Sequence, residues 1–226
     1  MKQKLSVAID GPSGAGKSTV AKALAKQFDL VYVDTGAIYR TVGLAAQHAD
    51  IPSKDAEAVI ALLPSVEIDI AYDSAGTQRM LLNGADVSDE IRTPRSSIYA
   101  SDVSALPEVR AFLMDMQRSM AEKYSVVMDG RDIGTVVLPH ADVKVFLTAS
   151  ASARAQRRWL ELKKRGTETS YDEVLRDIEY RDKQDSTRAA APLRAAEDAV
   201  LVDTSDLSFD ESVEAVAALI RARLAQ

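Results

Sequence analysis

Short apolar runs alternate along the chain with longer segments in which apolar residues recur at every third or fourth position. The runs are typical of buried strands, and the longer segments are typical of amphipathic helices. Five runs have the length of a strand: residues 5–9, 30–33, 125–129, 143–149 and 199–204. Strands that alternate with helices predict an α/β fold, in which a five-stranded parallel sheet lies between two layers of helices.

The helices are predicted from the same spacing and from the residues that begin them. Apolar spacing predicts helical structure over residues 18–28, 37–49, 95–124 and 154–164. Two more helices begin at Ser170-x-x-Glu173 and Ser208-x-x-Glu211. In such a capping box, the hydroxyl and the carboxylate each accept a free backbone N–H at the start of the helix.

Residues 66–88 depart from this pattern. The stretch "VEIDIAY" alternates apolar and polar positions, as a half-exposed strand does. Asn83-Gly84 is a strong signal for a tight turn between two strands. The sequence therefore predicts a small antiparallel insertion in this part of the chain.

Composition narrows the classes of function. The chain has 226 residues, 46% of them apolar, which suffices for a packed core. Its net charge of −6 makes it a poor general binder of nucleic-acid backbone, so we expect no nucleic-acid partner. The absence of cysteine excludes disulfides and thiolate metal sites. No apolar run approaches the roughly 18 residues of a membrane span, and the start "MKQKLSVAIDG" is too weakly apolar for a signal peptide, so we expect a cytoplasmic protein with no membrane partner.

The clearest motif follows the first predicted strand and opens the first predicted helix. Gly11-x-x-x-x-Gly16-Lys17-Ser18 matches the phosphate-binding P-loop pattern. Its glycines let backbone N–H groups turn inward around phosphate oxygens, and the start of the helix adds the positive end of its dipole. Lys17 is placed to reach the β- and γ-phosphates, and the Ser18 hydroxyl to ligate Mg²⁺. The motif predicts a bound nucleotide but not its use.

Arginine is concentrated in the predicted helical segment near residues 150–190. Of 17 arginines, eight lie between residues 154 and 194. Arg154, Arg157 and Arg158 have the spacing of one helix face. In an acidic chain, arginine rather than lysine favours bidentate recognition of phosphate. A solvated surface paired with nearby Glu and Asp is the alternative for any single arginine.

Two further stretches follow predicted strands, and ligands of open parallel sheets bind at such strand ends. "VVMDGRDIGT" (residues 126–135) places Arg131 and Asp132 there, with an ordinary loop ion pair as the alternative. "DTGAIYR" (residues 34–40) brings a hydroxyl, a glycine and an arginine to the end of the second strand, where they are placed to hold a second phosphate.

With these stretches together, the chain resembles the bacterial cytidylate kinases, which are P-loop nucleoside monophosphate kinases. The resembling stretches are "IDGPSGAGKST", "DTGAIYR", "EIRTP", "LPEVR", "DGRDIGTVVLP", "ADVKVFLTAS" and "RDKQDSTRAAAPL", which span nearly the whole chain. The resemblance implies transfer of the γ-phosphate of ATP to CMP or dCMP by a monomer, with Mg²⁺ as cofactor. It also implies one domain over residues 1–226, with a core (1–34, 106–150, 191–226), a CMP-binding insertion (35–105) and a lid (151–190).

The resemblance also assigns site residues. Those implied for ATP are Gly11, Pro12, Ser13, Gly14, Ala15, Gly16, Lys17, Ser18 and Thr19, with Arg157 and Arg158 in the lid. Those implied for CMP are Thr35, Arg40, Ser101, Arg110, Arg131, Asp132, Arg181, Asp185 and Arg188. Among them, the phosphoryl-transfer residues are Lys17, Arg131, Arg181 and Arg188. Thr35 stands where a serine also occurs in the family.

The base contacts implied by the resemblance have a physical rationale. Cytosine presents an N4 amino group, which a carboxylate such as Asp132 can accept, and its N3 and O2 suit the donors of Arg110. Uracil places O4 against the same carboxylate, and an unpaired buried acceptor costs about 1–3 kcal/mol. We therefore expect CMP to be preferred over UMP by roughly one to two decades.

Other readings of the P-loop remain at this point. The nearest are P-loop kinases that act on adenylate, uridylate or shikimate. A GTP-driven switch would need a guanine-reading Asn-Lys-x-Asp stretch, and the chain has none. A nucleotide-binding module without transfer chemistry would not need the second phosphate site or the arginine-rich segment.

Overall fold

The structure is a computed structural model that describes residues 4–225. Residues 1–3 and 226 lie outside the described part. The domain predicted over residues 1–226 and the expectation about the start of the chain both include some of these residues. The strands are β1 (Ser6–Asp10), β2 (Val31–Asp34), β3 (Ile68–Tyr72), β4 (Gln78–Leu82), β5 (Ala85–Asp86), β6 (Val126–Gly130), β7 (Val143–Thr148) and β8 (Val200–Asp203). The helices are α1 (Lys17–Phe28), α2 (Thr35–His48), α3 (Ala56–Leu62), α4 (Pro94–Val103), α5 (Pro107–Lys123), α6 (Ala151–Lys164), α7 (Tyr171–Thr187) and α8 (Phe209–Leu224).

The main sheet has five parallel strands in the order β2-β6-β1-β7-β8, which confirms the predicted fold class. The central strand β1 alternates strictly between the two faces of the sheet. Val7 and Ile9 pack on one side with α1 and α8, and Ala8 packs on the other with α2 and α5. All three side chains are fully buried, because helices cover both faces.

The last predicted strand, β8, is more exposed to solvent than its apolar sequence suggested. β8 pairs only with β7, so it forms the edge of the sheet. Val200 and Leu201 are 45% and 64% exposed. An apolar run alone does not distinguish an edge strand from a central one.

The antiparallel insertion is confirmed at the predicted place. β3, β4 and β5 form a separate three-stranded sheet, and Asn83 and Gly84 turn the chain with φ of 49° and 82°. The Gln78 side chain ties this small sheet to the main one, since its Oε1 accepts the Asp34 N–H at 2.7 Å. The insertion is thereby anchored at the carboxyl end of β2.

The helical part also agrees with the sequence in its main features. The segment 95–124 is divided into α4 and α5, and Pro107 is the first residue of α5. Both capping boxes form, at Ser170 and at Ser208. The helix α3 and a turn of π-helix at Ile133–Val137 were not predicted.

Helices α6 and α7 form a hairpin with a small core of its own. Ala155, Leu162, Val174 and Ile178 are its buried members. Trp159 packs against this cluster and donates its Nε1–H to the Thr169 carbonyl at 3.1 Å. Within residues 4–225, no helix is both long and apolar enough to cross a membrane.

Candidate active site

The glycine loop (residues 11–16) connects β1 to α1 at the carboxyl edge of the sheet. Gly11, Gly14 and Gly16 have φ of 149°, 78° and 89°, values that other residues rarely adopt. At Gly11 there is also no room for a side chain, because a Cβ atom would lie 1.9 Å from the Leu147 carbonyl oxygen. The loop therefore folds as the P-loop motif requires, with the start of α1 pointing at the space above it.

Lys17 is the first residue of α1 and is buried in this loop. Its Nζ donates to the Pro12 carbonyl at 2.8 Å, across the loop. Burial, together with the nearby charge of Arg131, lowers the pKa of the Lys17 ammonium well below its ordinary value. A phosphate in the loop would supply the counter-charge that this ammonium lacks.

Asp129, near the end of β6, organises the hydroxyl groups beside the loop. Its Oδ2 accepts from Ser18 Oγ at 2.8 Å, and its Oδ1 accepts from Tyr32 OH at 2.8 Å. Its backbone carbonyl accepts from Thr35 Oγ1 at 2.7 Å. Burial and then the charge of Asp34 raise the pKa of the Asp129 carboxyl. The negative charge of a buried carboxylate in these surroundings would be stabilised by a nearby cation.

Asp10, the last residue of β1, joins the glycine loop to the segment after β6. Its two oxygens accept the N–H groups of Ile133 and Gly134, each at 2.7 Å. Burial raises the pKa of Asp10 to about 6, although the two N–H donors oppose that shift. The Asp10 carboxylate therefore fixes the backbone of Ile133 and Gly134, which directly follow Arg131 and Asp132.

Asp34 and Arg40 form an ion pair at the start of α2, where the second phosphate site was predicted. Asp34 Oδ1 caps the helix by accepting the Ala37 N–H at 2.8 Å, and its Oδ2 accepts from the Arg40 guanidinium at 2.8 Å. The Arg40 charge holds the pKa of Asp34 below its usual value despite burial, the largest influence on it. The ion pair fixes the Arg40 guanidinium at the edge of the cleft.

A second ion pair links α7 to the end of β6. Arg131 Nε donates to Asp185 Oδ2 at 2.7 Å, and Ser101 Oγ donates to Asp185 Oδ1 at 3.0 Å. Asp185 is buried, yet its pKa is lowered, because Arg131 and Arg181 outweigh the effect of burial. Three predicted site residues from α4, α7 and the β6 end are thus brought into one network.

The third network is the most deeply buried and contains Arg110 and Asp132, two of the three residues that the resemblance implies as cytosine contacts, while the third, Ser101, lies in the second network. Asp132 pairs with Arg110 through Oδ2 and with Arg188 through Oδ1, the latter at 3.4 Å. Ser104 contacts both arginines, through its hydroxyl to Arg188 at 2.9 Å and its carbonyl to Arg110 at 3.4 Å. Burial raises the pKa of Asp132, and the arginines oppose that shift. The Arg110 guanidinium also lies 5.7 Å from the centre of the Tyr39 ring.

Arg181, on α7, lies between these networks and the glycine loop. One guanidinium N–H donates to Ser13 Oγ at 2.6 Å, while its buried Nε has no hydrogen-bond partner among residues 4–225. Burial and the neighbouring Arg131 lower the pKa of Arg181 to about 10. Arg181 and Lys17 are therefore short of negative charge, whereas the neighbouring Arg131 is paired with Asp185, whose charge raises the pKa of Arg131 against the effect of burial.

These residues surround one cleft of about 540 Å³. The predicted site residues that line it are Ser13, Gly14, Gly16, Lys17, Ser18, Thr19, Thr35, Arg40, Ser101, Arg131, Asp132, Arg157, Arg158, Arg181, Asp185 and Arg188. Gly11, Pro12, Ala15 and Arg110 do not line the cleft. The backbone of the first three shapes the loop, and Arg110 supports Asp132 from behind.

The three arginines predicted to share a face of α6 have different surroundings. Arg157 lines the cleft and donates to Thr204 Oγ1 at 3.2 Å, and Arg158 lines it and pairs with Glu161 at 2.9 Å. Arg154 is buried in contacts with protein groups and does not line the cleft. For Arg154 the structure therefore favours the alternative of a pair with a nearby carboxylate, because helical spacing does not show which side chains the neighbouring helix covers.

Sequence reasoning missed several residues that the structure places in the site. They are Asp10, Asp34, Tyr39, Arg92, Ser104 and Asp129. Asp10, Asp34 and Asp129 each end a strand or lie one residue before its end, and these strands are neighbours. Ligands of open parallel sheets bind at the carboxyl ends of strands, and that principle predicted Arg131. Applied to every strand end, it would also have predicted Asp10, Asp34 and Asp129. No sequence signal distinguishes Ser104 or Tyr39.

A phosphate-binding glycine loop that faces a cation-lined cleft, beneath a helical hairpin, defines the class of P-loop phosphotransferases. The family model of cytidylate kinases matches residues 7–222 of this chain. The chain therefore belongs to the cytidylate kinase family.

Alignments with proteins named cytidylate kinase cover nearly the whole chain. The cytidylate kinase of Carboxydothermus hydrogenoformans is 51% identical over 207 residues, which cover 92% of this chain and 93% of that protein. The cytidylate kinase of Caldicellulosiruptor saccharolyticus is 48% identical over 214 residues, which cover 95% and 94%. An uncharacterized protein from Eubacterium ventriosum shares the fold alone, with a TM-score of 0.52 and 14% identity over 97% of this chain and 99% of that chain.

Proposed function

We propose that this protein transfers the γ-phosphate of ATP to CMP or dCMP, giving ADP and CDP or dCDP. The observation that carries the proposal is the position of one cation group between two different sites. Lys17, Arg131 and Arg181 lie between the glycine loop and the buried Arg110–Asp132 pair. A phosphate donor on one side and a cytosine on the other would bring the reacting phosphates to these cations.

The donor site is proposed to be residues 11–19 with Arg157 and Arg158. The loop N–H groups and Lys17 bind the β- and γ-phosphates, because they supply positive charge where the phosphates are most negative. The contact of Arg157 with Thr204 holds its guanidinium at the outer edge of the cleft. That position supports a role beside the nucleoside part of ATP.

The acceptor pocket is proposed to be Thr35, Arg40, Ser101, Arg110, Arg131, Asp132, Arg181, Asp185 and Arg188. In it, Asp132 accepts the cytosine N4 amino group, and Arg110 holds the Asp132 carboxylate in place. Donation from Arg110 to the ring acceptors, which the resemblance implies, would require its side chain to move toward the cleft. The contacts of Arg188 with Asp132 and Ser104 support a role in holding the base-reading carboxylate as well as in neutralising phosphate. Arg40 and Arg131 bind the CMP phosphate, and Asp185 faces the sugar.

Mg²⁺ is expected beside Ser18, and the side chains there fit it. Ser18 Oγ and Asp129 Oδ2 lie 2.8 Å apart, and hydroxyl and carboxylate oxygens are ligands that Mg²⁺ accepts. Among residues 4–225 no group of three or more His, Cys, Asp or Glu side chains could hold a metal by itself. Phosphate oxygens would therefore complete the set, and the ion would neutralise charge on the transferring group.

In the proposed transfer, an oxygen of the CMP phosphate attacks the γ-phosphorus in line with the departing ADP oxygen. The attacking oxygen is already ionised near neutral pH, so the chain needs no strong general base. Lys17, Arg131 and Arg181 stabilise the charge on the equatorial oxygens during transfer. The α6–α7 hairpin, within the proposed lid (151–190), excludes water from the reaction, and residues 35–105 form the acceptor insertion of a monomer.

The test is ADP release at saturating Mg-ATP with CMP, dCMP, UMP, AMP or shikimate as acceptor. We expect turnover with CMP and dCMP, and a kcat/KM for UMP that is lower by roughly one to two decades. Faster turnover with AMP, UMP or shikimate would reassign the protein to another P-loop kinase activity. ADP release that does not depend on any acceptor would contradict phosphoryl transfer altogether.

A further inference from the structure

Arg154, near the start of α6, uses every guanidinium nitrogen within the protein. Its Nε donates to the Ala149 carbonyl at 2.8 Å, and Nη1 donates to the Ser13 carbonyl at 2.9 Å. Nη1 and Nη2 also form a fork on the Asp182 carboxylate, at 3.0 and 2.6 Å. The residue is only 4% exposed, and protein groups accept four hydrogen bonds from its five N–H donors.

These contacts join three segments that are distant in sequence. Ala149 follows β7, Ser13 belongs to the glycine loop, and Asp182 lies in the last third of α7. A bidentate arginine–carboxylate pair fixes both distance and orientation, unlike a pair of point charges. The Arg154 side chain is 5% exposed and the Asp182 side chain 27% exposed, so the guanidinium depends on this carboxylate more than the carboxylate depends on the guanidinium.

The packing around Gly14 also brings the glycine loop, α6 and α7 together, independently of the hydrogen bonds. A Cβ atom at Gly14 would lie 3.2 Å from Arg154 Cβ and 3.6 Å from Ile178 Cδ1. Helices α6 and α7 are thus in direct contact with the glycine loop. A small relative shift of α7 would move both its contacts with the loop and its side chains in the cleft.

Arg181 precedes Asp182 on α7 and reaches the same loop residue by a different route. It donates to the Ser13 hydroxyl at 2.6 Å, while Asp182 reaches the Ser13 carbonyl through Arg154. Arg181 lies among other cations, which repel it, and its Nε has no partner. Its own contacts therefore do little to fix its position in the cleft.

We infer that Arg154 and Asp182 form a positioning pair that sets α7 on the glycine loop and thereby places Arg181 for phosphoryl transfer. This inference rests on the proposed function, because it concerns the same reaction. The pair touches no substrate. It acts through Arg181, and its loss is expected to lower kcat more than it raises the KM for CMP, because the proposed base contacts Arg110 and Asp132 lie on other elements.

The decisive variant is Asp182→Asn, which keeps the shape of the side chain but removes the carboxylate that receives the guanidinium fork. We expect kcat to fall about tenfold, since small misplacements of transfer groups are costly. In an Arg181→Lys background, the same substitution is expected to change kcat by less than about twofold, because the residue it positions is already altered. Arg154→Lys is expected to follow the same pattern.

The control is Glu179→Gln, which removes a carboxylate from an exposed position of the same helix and is expected to leave kcat unchanged. Urea unfolding of each variant at the assay temperature checks that all are folded under the conditions of the kinetic measurements. If Asp182→Asn lowers kcat equally in both backgrounds, or not at all, the positioning role is wrong. If the unsubstituted protein shows no CMP-dependent ADP release, it is the proposed function that fails instead.

Discussion

The glycine loop and the proposed acceptor pocket lie at the same edge of the sheet, yet they are built differently. The loop is six consecutive residues (11–16) whose backbone forms the site. The pocket consists of side chains from α2, α4, α5, α7 and the end of β6, held in ion pairs such as Arg110–Asp132 and Arg131–Asp185. A backbone site depends on local conformation, whereas a pocket of paired charges depends on the whole fold.

This difference has an energetic consequence. Each charge in the acceptor pocket is desolvated, so its partner is needed even when no substrate is bound. The cations beside the loop have no such complete set of partners, as the unpaired Nε of Arg181 and the lowered pKa of Lys17 indicate. We therefore expect substitutions between the two sites to affect the rate more than the stability, and substitutions within the pocket to affect both.

The largest effect is expected for Arg181→Ala, which removes a cation from between the two sites. We expect kcat to fall by about 10³-fold or more, since an arginine that stabilises the transferring charge is worth that much. The free energy of unfolding is expected to stay equal or rise, because a buried cation next to Arg131 is removed. Steady-state kinetics and urea unfolding measure the two quantities.

Arg176→Ala is the matched control, since Arg176 is exposed on the same helix and does not line the cleft. If Arg181→Ala lowers the free energy of unfolding but not kcat, Arg181 has a structural role. The expectation that residues between the two sites affect the rate more than the stability would then be wrong.

A somewhat smaller effect is expected for Lys17→Met, which changes the donor side alone. We expect kcat to fall by about 10²–10³-fold, the range for one group that stabilises developing charge. The KM for CMP is expected to change little, because the proposed CMP contacts lie across the cleft. Lys26→Met, at an exposed position in the last turn of the same helix, should retain full activity. Equal activity of both variants would remove Lys17 from the mechanism.

Asp10 is the physical link between the two sites, and its titration makes that link measurable. The pKa of Asp10 in the folded protein is about 6, above the 3.8 of an ordinary aspartate. The folded state thus binds this proton more tightly than the unfolded state, and the contribution of Asp10 to stability falls as pH rises from 3.8 to about 6. The two values differ enough to change the free energy of unfolding by on the order of 3 kcal/mol.

Asp10→Asn does not titrate, so its stability curve should lack this fall. The measurement is the difference in the free energy of unfolding between the two proteins, determined with urea from pH 4 to 7. In this difference, the contributions of the titratable groups that the two proteins share cancel. A constant difference over that range would mean that Asp10 titrates as an ordinary aspartate.

The smallest effect is expected for alanine at the glycines with left-handed backbone. Gly14→Ala and Gly166→Ala place a side chain at φ of 78° and 75°, and each should lower the free energy of unfolding by roughly 1–2 kcal/mol. Gly166 has open space around it, whereas Gly14 touches Arg154. Only Gly14→Ala should therefore lower turnover, by about tenfold. Equal turnover in the two variants would show that the loop tolerates displacement.

The same contrast explains what could be predicted from the sequence. The parallel sheet, the insertion and the glycine loop follow from local patterns, and the structure has them where the sequence indicated. The pairing of Arg110 with Asp132 joins residues 22 positions apart, and that of Ser101 with Asp185 joins residues 84 apart, so no local pattern contains them. Arg154 shows the limit most clearly, because only the packed helices reveal that it faces Asp182 and the loop backbone rather than the cleft.

The central claim is that Asp132 selects the acceptor base independently of the donor site. The most direct test compares kcat/KM for CMP and for UMP in the unsubstituted protein and in Asp132→Asn, with urea unfolding to confirm that the variant is folded. We predict that the CMP-to-UMP ratio falls by about 10- to 100-fold, because the amide can donate to uracil O4 where the carboxylate can only repel it, and that the KM for ATP is unchanged. An unchanged CMP-to-UMP ratio in a folded Asp132→Asn variant would contradict the account.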